Sequence, residues 1–325
     1  MKTTKTITAV FSFVLAVVLL YVVAARTDLG EISRYLKDIK YIYVIFAVII
    51  YTFDILLRAF RWQLFLGEGG VRTGLVEAFL AYNLGNSLNI IIPARIGDIA
   101  RSYYLKKKHG YGYSTTLPTV ILDRIFDTLG IFLIVLFCSV YVITKIQLAA
   151  WFYNLLIAGV IALILVYIVF EIALRKRDLI VKLKSKRLQF FLLKLFDVYD
   201  KTVRNKKKLL VFTLYSMLVW LLEGFTAYCV FAALDYYVNP VVIVFTVMVA
   251  TLTKVIPLTP GGLGVFEGAF VVILTMFGNK SSIIGIISIL FHFLMNIYGI
   301  VIGIYVLIKE NISISKIKME KVDGR

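Results

Sequence analysis

The sequence predicts an all-α polytopic membrane protein with about six full transmembrane helices and two broken or re-entrant helical hairpins. Of the 325 residues, 61% are hydrophobic and 17% are charged, and the mean hydropathy is +0.90. Such a chain has too little polar surface to cover a water-soluble globule, and it is too apolar to be disordered. Apolar stretches of about 20 residues, the length of one crossing, recur along it, and its basic residues gather in a few connections.

Six apolar stretches are long and continuous enough to be full spans. The first, 7–25, follows two lysines near the start of the chain. A cleaved signal peptide is the alternative, but the apolar core of such a peptide is only about 7–15 residues long, so we interpret this stretch as a span. The other five lie at about 41–60, 118–143, 150–171, 209–233 and 283–308.

Two further apolar stretches, 75–93 and 240–277, are interrupted by polar and helix-breaking residues. Three asparagines lie in the first, which ends at Pro93, and the second contains Lys254 followed by a run of Pro and Gly. Irregular backbone at membrane depth is tolerated only where it is buried in protein or lines a wet cavity. The two stretches therefore predict broken helices that enclose a polar space.

The distribution of positive charge orients the chain. The stretch 172–208 carries thirteen Lys and Arg against three Asp, which predicts that it is cytoplasmic. Counting crossings from it places both ends of 75–93 inside and both ends of 240–277 outside. The broken elements are then hairpins of opposite orientation in a cell membrane, and both termini are cytoplasmic.

The whole chain, 1–325, is predicted to be a single transmembrane domain. Its two halves are about 1–143 and 150–308, and 172–208 forms a basic cytoplasmic connector. Within this connector, residues 188–203 place apolar side chains at helical spacing among lysines. This pattern favours an amphipathic helix on the membrane surface over a plain solvated connector.

A short internal repeat supports the opposed hairpins. The first reads Pro93-Ala94-Arg95-Ile96-Gly97-Asp98, and the second reads Pro260-Gly261-Gly262-Leu263-Gly264 with Glu267 three residues on. Matching Pro/Gly-interrupted segments in the two halves of a membrane protein are typical of inverted-repeat transporters. The alternative is that Pro and Gly merely end helices at loops.

Ionisable groups at membrane depth are costly and point to a binding site. Arginine binds phosphate through two parallel hydrogen bonds, a neighbouring Asp can hold it when the site is empty, and glycines let backbone amides approach a headgroup. Structural ion pairs and tight helix packing are the alternatives. The candidate substrate-binding residues are Arg95, Asp98, Arg101, Asp123, Arg124, Asp127, Lys254, Gly261, Gly262 and Glu267.

Little in the sequence favours a catalyst. The chain has two cysteines and two histidines, without a CxxC or HExxH pattern, and it contains no nucleotide-binding loop. We therefore expect no metal, no cofactor and no enzymatic activity. The net charge of +17 belongs to the membrane surface and its anionic lipids, so nucleic acid is not an expected partner.

Four strings together resemble one known family: RAFRW from Arg58, NIIIPARIGDIAR from Asn89, DRIFD from Asp123 and PLTPGGLGVFE from Pro257. They are similar to the lysylphosphatidylglycerol synthase/flippase transmembrane family, which includes the membrane half of the multiple peptide resistance factor, regarded as a lipid flippase. Related domains occur in archaeal proteins of lipid-linked glycan assembly. The resemblance implies functional roles for Arg95, Asp98, Arg101, Asp123, Arg124, Asp127 and Glu267.

The expected function is therefore transport or flipping of a lipid with an anionic phosphate headgroup, such as a phospholipid or a polyprenyl-phosphate carrier. Only a short tail follows residue 308. We therefore expect no aminoacyl-transferase domain and no synthesis of lysyl-phosphatidylglycerol. The alternatives are an intramembrane enzyme and a non-catalytic partner in lipid-linked glycan or lipid modification. The expected partners are membrane lipids and their anionic headgroups, with either a second copy of the chain or a separate glycosyltransferase or synthase.

The basic connector gives the first prediction. A cysteine at position 185, introduced as Ser185→Cys in a variant without Cys138 and Cys229, should react with a membrane-impermeant maleimide only after the cells are opened. The thirteen cationic side chains favour the cytoplasmic side. Labelling of this cysteine in intact cells would overturn the topology.

Overall fold

The computed structural model describes residues 37–92, 96–146, 150–254 and 259–315, together with Val14, Val18, Tyr21 and Ile317. Within these residues the chain is helical, without strands. The first predicted span, 7–25, lies almost wholly outside them and stays a prediction. The α-helices, in chain order, are α1 (Tyr41–Glu68), α2 (Leu75–Ile91), α3 (Ile96–His109), α4 (Tyr113–Ile143), α5 (Ala150–Arg175), α6 (Arg177–Val181), α7 (Lys186–Tyr199), α8 (Lys206–Ala233), α9 (Pro240–Thr253), α10 (Val265–Met276) and α11 (Ser281–Lys309).

Five of the described helices, α1, α4, α5, α8 and α11, are long and apolar enough to cross a membrane. They contain 26 to 31 residues. At 1.5 Å per residue this is about 39–46 Å, longer than the roughly 30 Å of hydrocarbon. The five spans predicted in this part of the chain are thus confirmed, and each helix extends a few residues beyond its predicted bounds.

The helices α2, α3, α9 and α10 are too short to span singly. They contain 17, 14, 14 and 12 residues, or about 25, 21, 21 and 18 Å. They pack as two pairs, α2 with α3 and α9 with α10. The broken elements are confirmed, but the first is longer than 75–93, because α3 forms its returning limb. With many polar residues, α3 gave no apolar signal, and its helix depends on tertiary packing.

A backbone crossing at two glycines closes the first pair. A Cβ atom added at Gly97 would lie 1.7 Å from the carbonyl oxygen of Gly85, and one at Gly85 would lie 2.8 Å from that of Gly97. Next to the crossing, the Gly97 N–H donates to Asn89 Oδ1 at 2.8 Å. Only glycine at both positions allows this approach.

Left-handed glycines form the turn of the second pair. A 3₁₀ turn, Pro260–Gly262, precedes α10, and Gly261, Gly262 and Gly264 have φ of 60°, 77° and 80°. Glu267 Oε2 accepts a hydrogen bond from the Gly264 N–H at 2.7 Å and thereby caps α10. The turn packs against α2 of the first pair, so the two broken elements meet.

The helix contacts repeat between the two halves. If α1, α2, α3 and α4 correspond to α8, α9, α10 and α11, then the packing of α1 on α2 and α4 matches that of α8 on α9 and α11. The pairs α2–α3 and α3–α4 match α9–α10 and α10–α11. The exchanged contacts also agree, since α2 packs on α11 while α9 packs on α4, and α1 packs on α8. This is the contact pattern expected of a two-fold repeat.

The predicted amphipathic helix is present as α7. Leu195, Phe196, Val198 and Tyr199 are buried, and α7 packs against α4. Val198 and Tyr199 join a small core around Phe65, whose ring stacks on that of Phe212 at 4.3 Å. The second half of α7 therefore docks on the helix bundle, and its position at the membrane surface stays a prediction.

The glycine crossing gives the second prediction. Gly97→Ala should lower the apparent melting temperature in detergent, because its methyl group would overlap the Gly85 carbonyl and overpacking costs about 1–3 kcal/mol or more. The matched control is Gly268→Ala, also within a helix, where no described atom lies within 4 Å of the added Cβ. This control should be neutral or slightly stabilising. Equal melting temperatures for the two variants would contradict the crossing.

Candidate functional site

A network of charged side chains lies between α1, α3, α4 and α8. Four arginines and five carboxylates form it, and most of them are almost completely buried. Only two side chains, one acidic and one basic, reach an opening of the network. Its members are Asp54, Arg58, Arg61, Asp98, Arg101, Asp123, Arg124, Asp127 and Glu223.

Arg61 is the most enclosed cation of the network, with no exposed surface. Its Nε and Nη2 atoms donate to Asp123 Oδ1 at 3.1 and 2.7 Å, and Nη2 also donates to Asp127 Oδ1 at 2.6 Å. Its Nη1 atom donates to Ser216 Oγ at 2.7 Å. The guanidinium of Arg61 thus links α1, α4 and α8, and these contacts use its hydrogen-bond donors.

Arg58, one helical turn before Arg61, joins α1 to α8. Its Nε atom donates to both oxygens of Asp54 at 3.0 and 2.9 Å, and its Nη2 atom donates to Glu223 Oε2 at 2.8 Å. The guanidinium carbon lies 4.0 Å from the centroid of the Trp220 ring, a cation–π contact. Arg58 lines the central cavity described below.

Two predicted arginines differ in position. Arg101 is 1% exposed, donates from Nη1 to Asp123 Oδ2 at 2.9 Å, and lies against the rings of Trp62 and Tyr82. Arg124 donates to Asp98 Oδ1 at 2.8 Å and to Asp127 Oδ2 at 3.1 Å, and 35% of its side chain is exposed. Arg124 can therefore meet a ligand from the open side, whereas Arg101 holds Asp123 from behind.

A cavity of about 270 Å³ lies at the centre of the network, between the two broken elements. From the first element come Asn86 and Asn89 of α2 and Asp98 of α3, and from the second come Lys254 and the Pro/Gly turn. The cavity is thus shared by the two halves of the chain. Of the predicted site residues, Asp98, Arg124, Asp127, Lys254, Gly261 and Gly262 line it.

The other predicted residues stand apart from the cavity wall. Arg101 and Asp123 lie behind it, and Arg95 falls outside the described residues. Glu267 is also behind the wall, where its Oε1 atom lies 2.6 Å from His292 Nδ1. Both side chains of this pair are 2% exposed, and His292 itself lines the cavity. Glu267 therefore acts on the cavity through His292.

Three polar side chains on the wall were not predicted from the sequence. Trp220 Nε1, Thr251 Oγ1 and Thr259 Oγ1 are buried and have no hydrogen-bond partner among the described residues. An unsatisfied buried polar group costs about 1–3 kcal/mol, so these three groups can hydrogen-bond a polar ligand or water in the cavity. The sequence gives no specific signal for them, because a polar atom inside an apolar stretch is common in membrane helices.

The wall has the chemistry of an anion site more than that of a metal site. Arg58, Arg124 and Lys254 face the cavity. Lys254 Nζ also lies 4.5 Å from the centroid of the Phe266 ring. Among the described residues, no group of three His, Cys, Asp or Glu side chains is placed to hold a metal ion. The carboxylates at the wall are bound by arginines instead.

Comparison with known proteins assigns the chain to a family. The lysylphosphatidylglycerol synthase TM region matches residues 9–303. A UPF0104 membrane protein of Methanocaldococcus jannaschii is 33% identical over 190 residues, which are 58% of this chain and 79% of that protein. A UPF0104 membrane protein of Methanothermobacter thermautotrophicus is 26% identical over 78% of this chain and 81% of its own length.

A third relative carries a more specific name. Glycosyltransferase AglD of Haloferax volcanii is 26% identical across 100% of this chain, which corresponds to 58% of that longer protein. The shared part is therefore a little over half of AglD. No solved structure matches the chain.

The buried network gives the third prediction. Asp123→Ala should strongly lower thermal stability, because Arg61 and Arg101 lose the carboxylate that they share, and breaking a buried pair costs about 3–5 kcal/mol. The matched control is Asp197→Ala on α7. Its partly exposed pair with Lys201 is worth about 0–1 kcal/mol. If both variants melt at the wild-type temperature, the network does not hold the bundle together.

Proposed function

This chain belongs to the lysylphosphatidylglycerol synthase transmembrane-region family, and we propose that it moves a lipid with an anionic, phosphate-bearing headgroup across the membrane. The observation that carries this proposal is the cavity shared by the two broken elements. Arg58, Arg124 and Lys254 face this cavity in a protein with five long apolar helices among its described residues. We place both termini and the basic connector on the cytoplasmic side.

The charges of the wall support an anionic ligand. Its formal charges balance, because three cations and three carboxylates line the cavity: Arg58, Arg124, Lys254, Asp98, Asp127 and Glu223. A neutral site limits the cost of holding charges at membrane depth. A phosphate can replace Asp98 on Arg124, because the guanidinium binds either oxyanion with similar geometry. Arg124 then keeps an anionic partner on binding, while Asp98 stays beside Arg101, whose Nη2 atom lies 3.6 Å from Asp98 Oδ1.

The packing supports alternating access. The two broken elements meet beside the cavity through α2 and the Pro/Gly turn, and each is shorter than the hydrocarbon thickness. Movement of one element relative to the other would therefore open the cavity to one side at a time, as in other inverted-repeat transporters. The left-handed glycines of the turn provide backbone freedom for that movement.

The polar groups without hydrogen-bond partners among the described residues further restrict the chemistry of the headgroup. Trp220 Nε1 can only donate, while Thr251 and Thr259 can donate or accept. Such groups suit hydroxyls or phosphate oxygens on the ligand. We therefore propose a headgroup that combines a phosphate with hydroxyl groups, as in a glycerol or sugar phosphate.

The named relative favours a second substrate class. AglD is named a glycosyltransferase, and its match covers the whole length of this chain. A polyprenyl-phosphate carrier is therefore the second candidate, beside a phospholipid. The role of an intramembrane enzyme is less favoured, because Asp98, Asp127 and Glu223 at the cavity are each bound to an arginine. A carboxylate held in this way is a poor acid or base.

The fourth prediction tests transport. In phosphatidylcholine vesicles, the purified protein should move NBD-labelled phosphatidylglycerol or a fluorescent polyprenyl phosphate between leaflets, followed by dithionite quenching. Arg124→Ala should slow transport about tenfold or more, since a charge-assisted hydrogen bond is worth about 1.5–3 kcal/mol. Arg124→Lys should recover only part of the rate, because lysine cannot donate the two parallel bonds.

The control for this experiment is Arg72→Ala. Arg72 is an exposed arginine between α1 and α2, away from the cavity, and should transport at the wild-type rate. Wild-type protein that moves neither probe would contradict transport of these lipid classes. Turnover of the headgroup instead of movement would support the enzyme. Equal rates for Arg124→Ala and wild type would remove Arg124 from the site.

A further inference from the structure

A second cavity, of about 390 Å³, lies along the outer side of α4. Its wall is almost wholly apolar except at one end, where it contains Asp98, Arg124 and Thr128. These three residues also line the central cavity, so the two spaces adjoin at the Arg124–Asp98 ion pair. The apolar wall consists of Leu117, Val120, Ile121, Ile125, Leu163, Val166 and Phe191.

The groove exists because α5 stands away from the bundle. None of the most apolar 18-residue window of α5 is buried, whereas the same windows of the other four long helices are 33–56% buried. Leu163 and Val166 of α5 form one wall, α4 forms the floor, and Phe191 of α7 contributes at one end. Among the described residues, the groove is open on its outer side.

The length of the groove matches one leaflet. Its floor runs along α4 from Leu117 to Thr128, about 16 Å of helix at 1.5 Å per residue, or roughly half of the 30 Å hydrocarbon thickness. It lies along the first half of α4 and faces α5, which leads directly into the basic connector. By the distribution of positive charge, this is the cytoplasmic half of the membrane.

The chemistry of the groove favours a hydrocarbon chain over a protein helix. A single hydrocarbon chain needs only the apolar wall that the groove provides along most of its length. The charged end is also unsuited to a helix, because the Arg124–Asp98 pair would be buried against apolar side chains. An amphiphile fits both ends, with an apolar chain in the groove and a charged group at the ion pair.

We propose that this groove is the lateral access path from the cytoplasmic leaflet and holds a hydrocarbon chain of the transported lipid while its headgroup enters the central cavity. The inference rests on the proposed function and adds where the lipid enters and which part of it the protein binds outside the cavity. Arg124 and Asp98, 2.8 Å apart, separate the two spaces. The headgroup passes between the cavities by replacing Asp98 on Arg124, so this pair selects for a negative charge.

The test fills the groove without touching the charged residues. Val166→Trp and Leu163→Trp place a bulky ring in the groove, and Ile161→Trp places the same ring on the opposite, lipid-facing side of α5. In the vesicle assay with NBD-phosphatidylglycerol, the two groove variants should be slowed about tenfold or more, because the ring displaces the lipid chain and every two CH₂ groups lost from the groove weaken its binding about tenfold. The Ile161→Trp control should keep the wild-type rate, and melting temperatures should agree among all three.

A second measurement covers the case in which the ring prevents folding. A photoreactive benzoylphenylalanine at position 166 should cross-link to phosphatidylglycerol in the same vesicles, and one at position 161 should do so much less. Groove variants that transport like Ile161→Trp, or equal cross-linking at the two positions, would overturn the groove while leaving the proposed function intact. Cross-linking of position 166 only to another protein would overturn it in favour of a partner helix. A wild-type protein that moves no lipid would overturn the proposed function itself.

Discussion

The fold depends on one buried guanidinium, that of Arg61, which binds two carboxylates of α4 and a hydroxyl of α8. An arginine at this depth is costly unless its hydrogen bonds are made, and here those bonds come from helices that the sequence does not place side by side. The helix packing and the charge arrangement therefore require each other. Because Asp123 and Asp127 are shared with Arg101 and Arg124, the same bonds also fix the residues of the cavity.

The broken elements follow from a second constraint, the need to satisfy backbone groups away from water. None of the four short helices is long enough to span the hydrocarbon singly, so their ends need partners within the protein. These ends are buried because α2 contacts the Pro/Gly turn, and because α2 and α9 each pack on the long helix of the opposite half. Two features that require glycine allow this packing. They are the backbone crossing of Gly85 and Gly97 and the left-handed turn at Gly261 and Gly262. The polar cavity is the space that remains where the elements meet.

Local sequence signals predicted most of the fold. The features that they missed depend on which side chains the folded helices bring together. Span length, charge distribution and Pro/Gly interruptions predicted the long helices and both broken elements, whereas α3 has too few apolar residues to be recognised. Arg124 and Lys254 were predicted because charge in an apolar stretch is conspicuous, and Asp98 because it follows the first Pro/Gly interruption. Arg58 was not among the predicted site residues, although it also lines the cavity. The sequence did not predict which of Arg101 and Arg124 faces the cavity. The two arginines look alike in sequence and differ only in the rings and carboxylates packed around them. Trp220 gave no signal because its unsatisfied N–H depends on its neighbours.

The exposed fraction of each arginine side chain distinguishes the arginines that only link helices from those that a ligand can reach. Arg61 and Arg101 have 0% and 1% exposed side chains, and a ligand could reach them only by displacing the helices that they join. The Arg124 side chain is 35% exposed, and its partner Asp98 is 18% exposed, so this pair can open at a much lower cost. An anion that replaces Asp98 keeps Arg124 paired, and Asp98 remains 3.6 Å from the Arg101 guanidinium. The buried arginines thus hold the site in shape, and the partly exposed pair, which lies between the polar cavity and the apolar groove, is where an amphiphile exchanges with the protein's own carboxylate.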